Sequence, residues 1–234
     1  MAGVEAVARV AHPTQGLLTP DQFLKGADES VLIDLSRLAL VNAVRLSAQL
    51  QETGIAMQVA INISVDELLR LPVADLVAMH RPERSDWLGI ILEIPERQVI
   101  SKIESLKPRF PTMHKAGVSI AIDNFGCGSS SLSILNQIPF AEIKIDRSLV
   151  QGCASDAGLA KICKTVIQTA HNFGSKAVAV GVATEPDRAT LTALGCDLGQ
   201  GFLLGKPLRK SELDALIAEF NSRSSAANQA QSIG

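Results

Sequence analysis

Along this chain, short apolar runs with a period of two alternate with longer stretches whose apolar residues recur at helical spacing. Met1 to Val10 reads as a strand, with Glu5, Val7 and Arg9 on one face among small apolar residues. His12-Pro13 ends it, and Gly16 to Pro20 is loop. A helical stretch covers Pro20 to Ala27. A long one covers Glu29 to Glu52, with apolar residues at helical spacing (Leu32, Leu35, Leu38, Leu40, Val44, Leu46 and Leu50). Strands then alternate with helices. The spacing predicts strands at Gln58–Ile63, Leu88–Ile94, Val118–Asp123, Ala141–Ile145, Lys176–Val182 and Leu198–Leu204. It predicts helices at Val65–His80, Ser101–Lys115 (broken near Pro108–Pro111), Ser130–Gln137, Ala154–Phe173, Glu185–Leu194 and Ser211–Phe220.

Alternation of this kind calls for parallel β/α construction. Seven strands are expected, and a closed barrel needs eight, so one strand is expected to be missing upstream of Gly3. No G-x-G-x-x-G follows the first strand, which argues against a Rossmann sheet. No linker divides the chain. One domain is expected over residues 1–221, and the polar stretch Ser222–Gly234 reads as a disordered tail.

Composition narrows the functional classes. Of 234 residues, 47% are hydrophobic, enough for one large core. A net charge of −2 gives no electrostatic case for nucleic acid, and seven Phe, one Trp and no Tyr supply few stacking platforms. Cys127, Cys153, Cys163 and Cys196 have no C-x-x-C spacing and read as small buried residues in a reducing compartment. No apolar run of about 18 residues is present to span a membrane, and the N-terminus lacks the pattern of a secretory signal, so a cytoplasmic location is expected.

The chemistry sits at the strand ends. Glu5, Asn62, Glu93, Asp123 with Asn124, Lys144 and Gln200 bring an acid, amide or amine to one rim from six strands, and the remaining strand brings Val180. Carboxylates and amides converging there supply hard oxygen ligands for Mg²⁺, Mn²⁺ or Ca²⁺. A nearby lysine could hold a phosphate or a metal-bound water. The chemistry implied is phosphoryl-ester binding, with or without metal-assisted hydrolysis. Taken singly, each strand-end carboxylate is more often a cap or turn residue. Gly126 and Gly128 could simply make a turn, and Lys144 with Asp146 could be a structural ion pair. Convergence is what carries the functional reading.

Five segments, in order, resemble the EAL domain, the cyclic-di-GMP phosphodiesterase fold of bacterial signalling proteins. They are Gly3-Val4-Glu5-Ala6-Val7-Ala8-Arg9 with His12-Pro13; Ala60-Ile61-Asn62-Ile63-Ser64; and Leu92-Glu93-Ile94-Pro95-Glu96. Next come Ile122-Asp123-Asn124-Phe125-Gly126 through Ile143-Lys144-Ile145-Asp146-Arg147, and then Val178-Ala179-Val180-Gly181-Val182 through Gly195-Cys196-Asp197 to Gln200-Gly201-Phe202. The resemblance implies a TIM-like (β/α) barrel of EAL type that binds cyclic-di-GMP at its carboxyl rim, with frequent dimerisation. By the resemblance, Glu5, Asn62, Glu93 and Asp123 are ligands of Mg²⁺ or Mn²⁺, and Asn124 stands at a weakened further ligand position. Arg9 is a ligand-phosphate contact and Gln200 the late glutamine of the site. Lys144 orients the attacking water, and Glu96 steadies the loop after Asp123.

The departures from the family pattern bear on activity. Asp123-Asn124 stands where the family pairs two aspartates. Val180 and Ala183 stand where it has two glutamates, the first proposed as general base. Valine can neither take a proton nor ligate a metal, and losing general-base help costs about 10²–10⁴ in rate. The expectation is a degenerate domain that binds cyclic-di-GMP or a partner protein, as a homodimer or with another signalling protein, with little or no hydrolysis. The alternative is an active metal-dependent phosphodiesterase that makes linear pGpG. A pure interaction scaffold is the third reading.

Overall fold

The computed structural model of the chain describes residues 2–55, 57–127 and 132–218. Strand β1 (Gly3–Ala6) is followed by a small hairpin, β2 (Val10–His12) against β3 (Gly16–Leu18), then α1 (Pro20–Phe23) and the long α2 (Glu29–Glu52). The β/α alternation begins with β4 (Gln58–Asn62), α3 (Val65–Arg70), α4 (Val73–His80), β5 (Ile90–Pro95), α5 (Glu96–Leu106) and α6 (Phe110–Ala116). It continues through β6 (Val118–Phe125), α7 (Leu132–Leu135), β7 (Phe140–Ile145), α8 (Arg147–Val150) and α9 (Ala157–Asn172). β8 (Lys176–Val180), α10 (Glu185–Ala193) and β9 (Leu198–Gln200) follow, and residues 210–218 are helical.

Seven strands form one parallel sheet in the order β1-β4-β5-β6-β7-β8-β9. Its register explains where the core sits. Ile61, Leu92 and Ile120 lie side by side, as do Ile94, Ile122 and Ile143, and Ile145 pairs with Ala179. All are buried, and they form the main core under the helices. Alternate residues point the other way, into the curl of the sheet. There Ala60, Ile91 and Ala121 make a separate small apolar cluster. The two terminal strands, β1 and β9, meet through a side-chain bond from Gln200 to Glu5. The sheet therefore curls into a TIM-like (β/α) barrel, as the alternation predicts, with inward side chains layered inside it.

Several boundaries depart from the sequence reading. The expected strand Met1–Val10 ends at Ala6, and part of the expected loop pairs as the β2–β3 hairpin. The expected helix Val65–His80 divides at Pro72, which lacks an amide hydrogen for a continuous ladder. Asp156 caps α9 through Gly158 and Leu159, so the expected helix Ala154–Phe173 starts later. β9 stops at Gln200 rather than Leu204, because Gly201 lies against the Val182 backbone in a turn. The start of the expected helix Ser130–Gln137, Gly128 of the loop and the tail Ser222–Gly234 lie outside the described residues. Cys153 and Cys163 are buried and Cys196 is half-buried, but Cys127 is exposed, contrary to expectation. Burial pushes the Cys163 thiol up to about 12, which leaves it inert.

Candidate functional site

The inward faces of the strands build the site. Asn62 and Glu93 are register partners on β4 and β5. Asp123 lies two residues beyond Ala121 on β6, and Val180 pairs with Gln200 across β8 and β9. Since side chains repeat every second residue, these positions share one face near the carboxyl ends of the strands. Glu5 joins them from β1 and Lys144 from β7.

Glu5 is the hub. Its Oε1 accepts from Asn62 Nδ2 at 2.6 Å, and its Oε2 accepts from Gln200 Nε2 at 2.7 Å and Lys144 Nζ at 3.1 Å. Lys144, only 3% exposed, also lies 2.5 Å from Glu93 Oε2. The ammonium therefore bridges two carboxylates from strands far apart in sequence. The reading of Lys144 and Asp146 as a local ion pair does not hold: Asp146 caps α8 by accepting from the Ser148 amide at 2.8 Å.

Burial sets the proton affinities of these groups. Burial alone would raise the Glu5 carboxyl, but the Lys144 charge and the bonds from Gln200, Lys144 and Asn62 outweigh it and hold the group low. Glu93 is pushed up to about 7, mainly by burial. Lys144 opposes that shift, and the charges of Glu5 and Asp123 add to it. Burial works against the Lys144 ammonium, yet Glu93 and Glu5 overcome it and raise its affinity for the proton. Asp123 is raised, first by burial.

The loop after β6 is shaped by a break in register between Ile122 and Phe125. Asn124 takes φ +55°, a left-handed conformation that asparagine tolerates, and its amide donates to Asp123 Oδ2 at 2.7 Å. Glu96, 2% exposed, accepts from the Gly126 amide at 3.2 Å, so the expected loop contact is present. A second tether, from Arg97 Nη2 to the Cys127 carbonyl at 3.2 Å, was not anticipated, because an arginine next to Glu96 carries no motif. Glu96→Ala is expected to leave the Gly126 amide unpaired at a cost of about 1–2 kcal/mol. Hydrogen exchange at residues 125–127 should then accelerate about tenfold.

Two other residues fall outside the expectation. Arg9 lies beyond the end of β1, exposed, with Nη1 donating to the Ala8 carbonyl at 2.8 Å. The period-of-two reading carried it onto the Glu5 face, but the chain leaves the sheet at Ala6. Glu142 was missed. It lies two residues before Lys144 on β7, hence on the same inward face, and burial raises its carboxyl. That strand parity was the available signal.

The expected metal ligands do not form a cation cage. Glu5 and Glu93 are engaged by Lys144, and Asp123 by Asn124. Glu5, an acceptor only, requires Asn62 to face it with its amide nitrogen rather than its oxygen. Among the described residues, no three His, Cys, Asp or Glu side chains are grouped to hold a metal ion. Lys144 and the Asn62 and Asn124 amides thus occupy the carboxylates that the resemblance assigns to Mg²⁺ or Mn²⁺.

A curled parallel barrel with a polar site at its carboxyl rim defines a (β/α)-barrel domain. The chain belongs to the EAL domain family, whose model matches residues 1–207. It is 34% identical over 224 residues to the bifunctional diguanylate cyclase/cyclic di-GMP phosphodiesterase MucR of Pseudomonas aeruginosa, covering 93% of this chain and 32% of MucR. It is 33% identical to the cyclic di-GMP phosphodiesterase NbdA of the same organism, covering 93% of this chain and 28% of NbdA. The chain thus spans about a third of the length of these curated relatives. Among solved structures, the P. aeruginosa MucR phosphodiesterase in complex with c-di-GMP aligns with a TM-score of 0.80 at 34% identity, over 91% of this chain and 87% of that one. The EAL domain of Mycobacterium smegmatis DcpA aligns with a TM-score of 0.71 at 36% identity, over 81% and 86%. No helix among the described residues is long and apolar enough to cross a membrane.

Proposed function

We propose that this domain is a cyclic-di-GMP receptor of bacterial signalling that hydrolyses its ligand little or not at all. The observation that carries the reading is Val180. It stands at the inward-facing end of β8 beside Gln200, and the family resemblance puts a general base there. An isopropyl group cannot accept a proton, so the activated water of hydrolysis has no acceptor at that point. Ground-state binding suffers less, because the polar rim remains: Glu5, Asn62, Lys144 and Gln200 stay bonded together. In this reading Gln200 contacts the dinucleotide and Arg9, exposed beside the barrel, contacts a phosphate. Glu96 holds the loop that frames the ligand, and a second copy or a partner signalling protein reads the bound state.

The second reading is an active phosphodiesterase that makes linear pGpG. The retention of Glu5, Asn62, Glu93, Asp123, Lys144 and Gln200 together on one rim favours it. Titrating cyclic-di-GMP into the purified chain by calorimetry, then resolving the products by chromatography, separates the two. The receptor predicts saturable binding with intact ligand recovered. Turnover at rates of about 1 s⁻¹ or more would establish the enzyme instead. Absence of binding up to high micromolar ligand would leave an interaction scaffold.

A further inference from the structure

We propose that the Lys144 ammonium is a built-in counter-ion that competes with divalent cations for Glu5 and Glu93, so that the site takes its anionic ligand without loading a metal. The second half of this inference rests on the receptor reading; the first does not.

An ionised carboxylate only accepts. Both oxygens of Glu5 are already satisfied, Oε1 by Asn62 and Oε2 by Gln200 and Lys144. Glu93 Oε2 forms an ion pair with Lys144 at 2.5 Å without hydrogen-bond geometry, and Asp123 Oδ2 accepts from the Asn124 amide. A divalent cation that recruited this set would have to turn the Asn62 amide over and drive the ammonium out. Lys144 is 3% exposed, so a displaced ammonium would lie in a low-dielectric interior. Asp123 and Glu142 feel its charge, but neither bonds to it. Above it, the inward position on the neighbouring strand is Val180, which offers no carboxylate. Mg²⁺ further demands near-ideal octahedral oxygen geometry and dehydrates reluctantly, which makes the exchange harder still. The ammonium thus supplies positive charge at the floor of the rim, where a phosphate would meet it.

The test uses Mn²⁺ followed by electron paramagnetic resonance, with no dinucleotide present. In the EDTA-stripped wild-type chain, Mn²⁺ is expected to stay free, with a Kd no tighter than about 100 µM. Lys144→Met is expected to bind Mn²⁺ at least about tenfold more tightly, because the competing charge is gone. Tighter wild-type binding than that, or a folded variant whose affinity is unchanged or weaker, would overturn the proposal. The wild-type titration stands by itself if the variant does not fold. In a separate arm, the wild-type affinity for cyclic-di-GMP is measured in EDTA and in excess Mn²⁺. The values should agree within about threefold, and a tightening of about tenfold or more with Mn²⁺ counts against metal-free binding. Failure to bind cyclic-di-GMP in either buffer would defeat the receptor reading, while the Mn²⁺ titrations would still decide the role of Lys144.

Discussion

Val180→Glu combined with Asn124→Asp is expected to raise production of linear dinucleotide by about 10²-fold or more at saturating Mn²⁺. The two substitutions act on different parts of the site. Val180 faces inward at the end of β8, two residues beyond Val178, the register partner of Lys144. A glutamate there gains a proton acceptor on the rim within the field of the lysine. Asn124→Asp is tolerated by the backbone, since aspartate also adopts the left-handed conformation that residue 124 requires. It removes the amide now donating to Asp123 and sets two carboxylates side by side, which calls for a counter-cation. Either change alone should do less than the pair. Initial rates of linear product from the single and double variants measure this as a double-mutant cycle. No gain in the double variant would place the defect elsewhere, in the hold of Lys144 on Glu5 and Glu93, in the loop around Gly126 or in the wall of the barrel.

The second large effect concerns the fold. Gly89→Ala is expected to destabilise the domain by about 3 kcal/mol or more, combining left-handed strain with overlap. Gly89 has φ +77°, and an added methyl carbon would lie 2.0 Å from the Gly117 carbonyl oxygen. That carbonyl cannot retreat easily, because it accepts from the Ile90 amide at 3.0 Å and the Trp87 ring lies against Gly117. Trp87 is itself held by Ser47, to which its indole donates at 2.9 Å. The contact joins the entry of β5 to the entry of β6, so relief would have to move two central strands. Urea denaturation of wild type and variant measures the effect, and a loss below about 1 kcal/mol would show that the strands shift at little cost.

The barrel was legible in the chain because alternation is a local property. Runs such as Ile90–Leu92 and Ile120–Ile122 are apolar on both faces, as strands covered outside by helices and packed inside require. The candidate rim was legible as well, since Glu5, Asn62, Glu93, Asp123, Lys144 and Gln200 each lie on a strand. A period of two stops being informative where its element ends, and residue type alone does not fix burial. Arg9 has the parity of Glu5 in sequence, but the chain turns away after Ala6. Residue type alone puts Cys127 with the buried cysteines, yet it lies exposed in the loop after β6.

What the sequence determined by itself is the order of elements, the family and the inventory of polar groups at the strand ends, all of which depend on neighbours in the chain. What only the tertiary structure decided is who bonds to whom. Lys144 and Glu5 are 139 residues apart, and Gln200 and Glu5 are 195 apart. No local pattern encodes such pairings, because they follow from the register of parallel strands and the curl that brings β1 to β9. Proton affinities belong to the same category. Glu93 differs from an ordinary surface glutamate only because burial and the charges of Lys144, Glu5 and Asp123 act on it at once. In sequence Asn62 and Lys144 resemble a metal ligand and the lysine that orients the attacking water; the fold adds that both donate to Glu5.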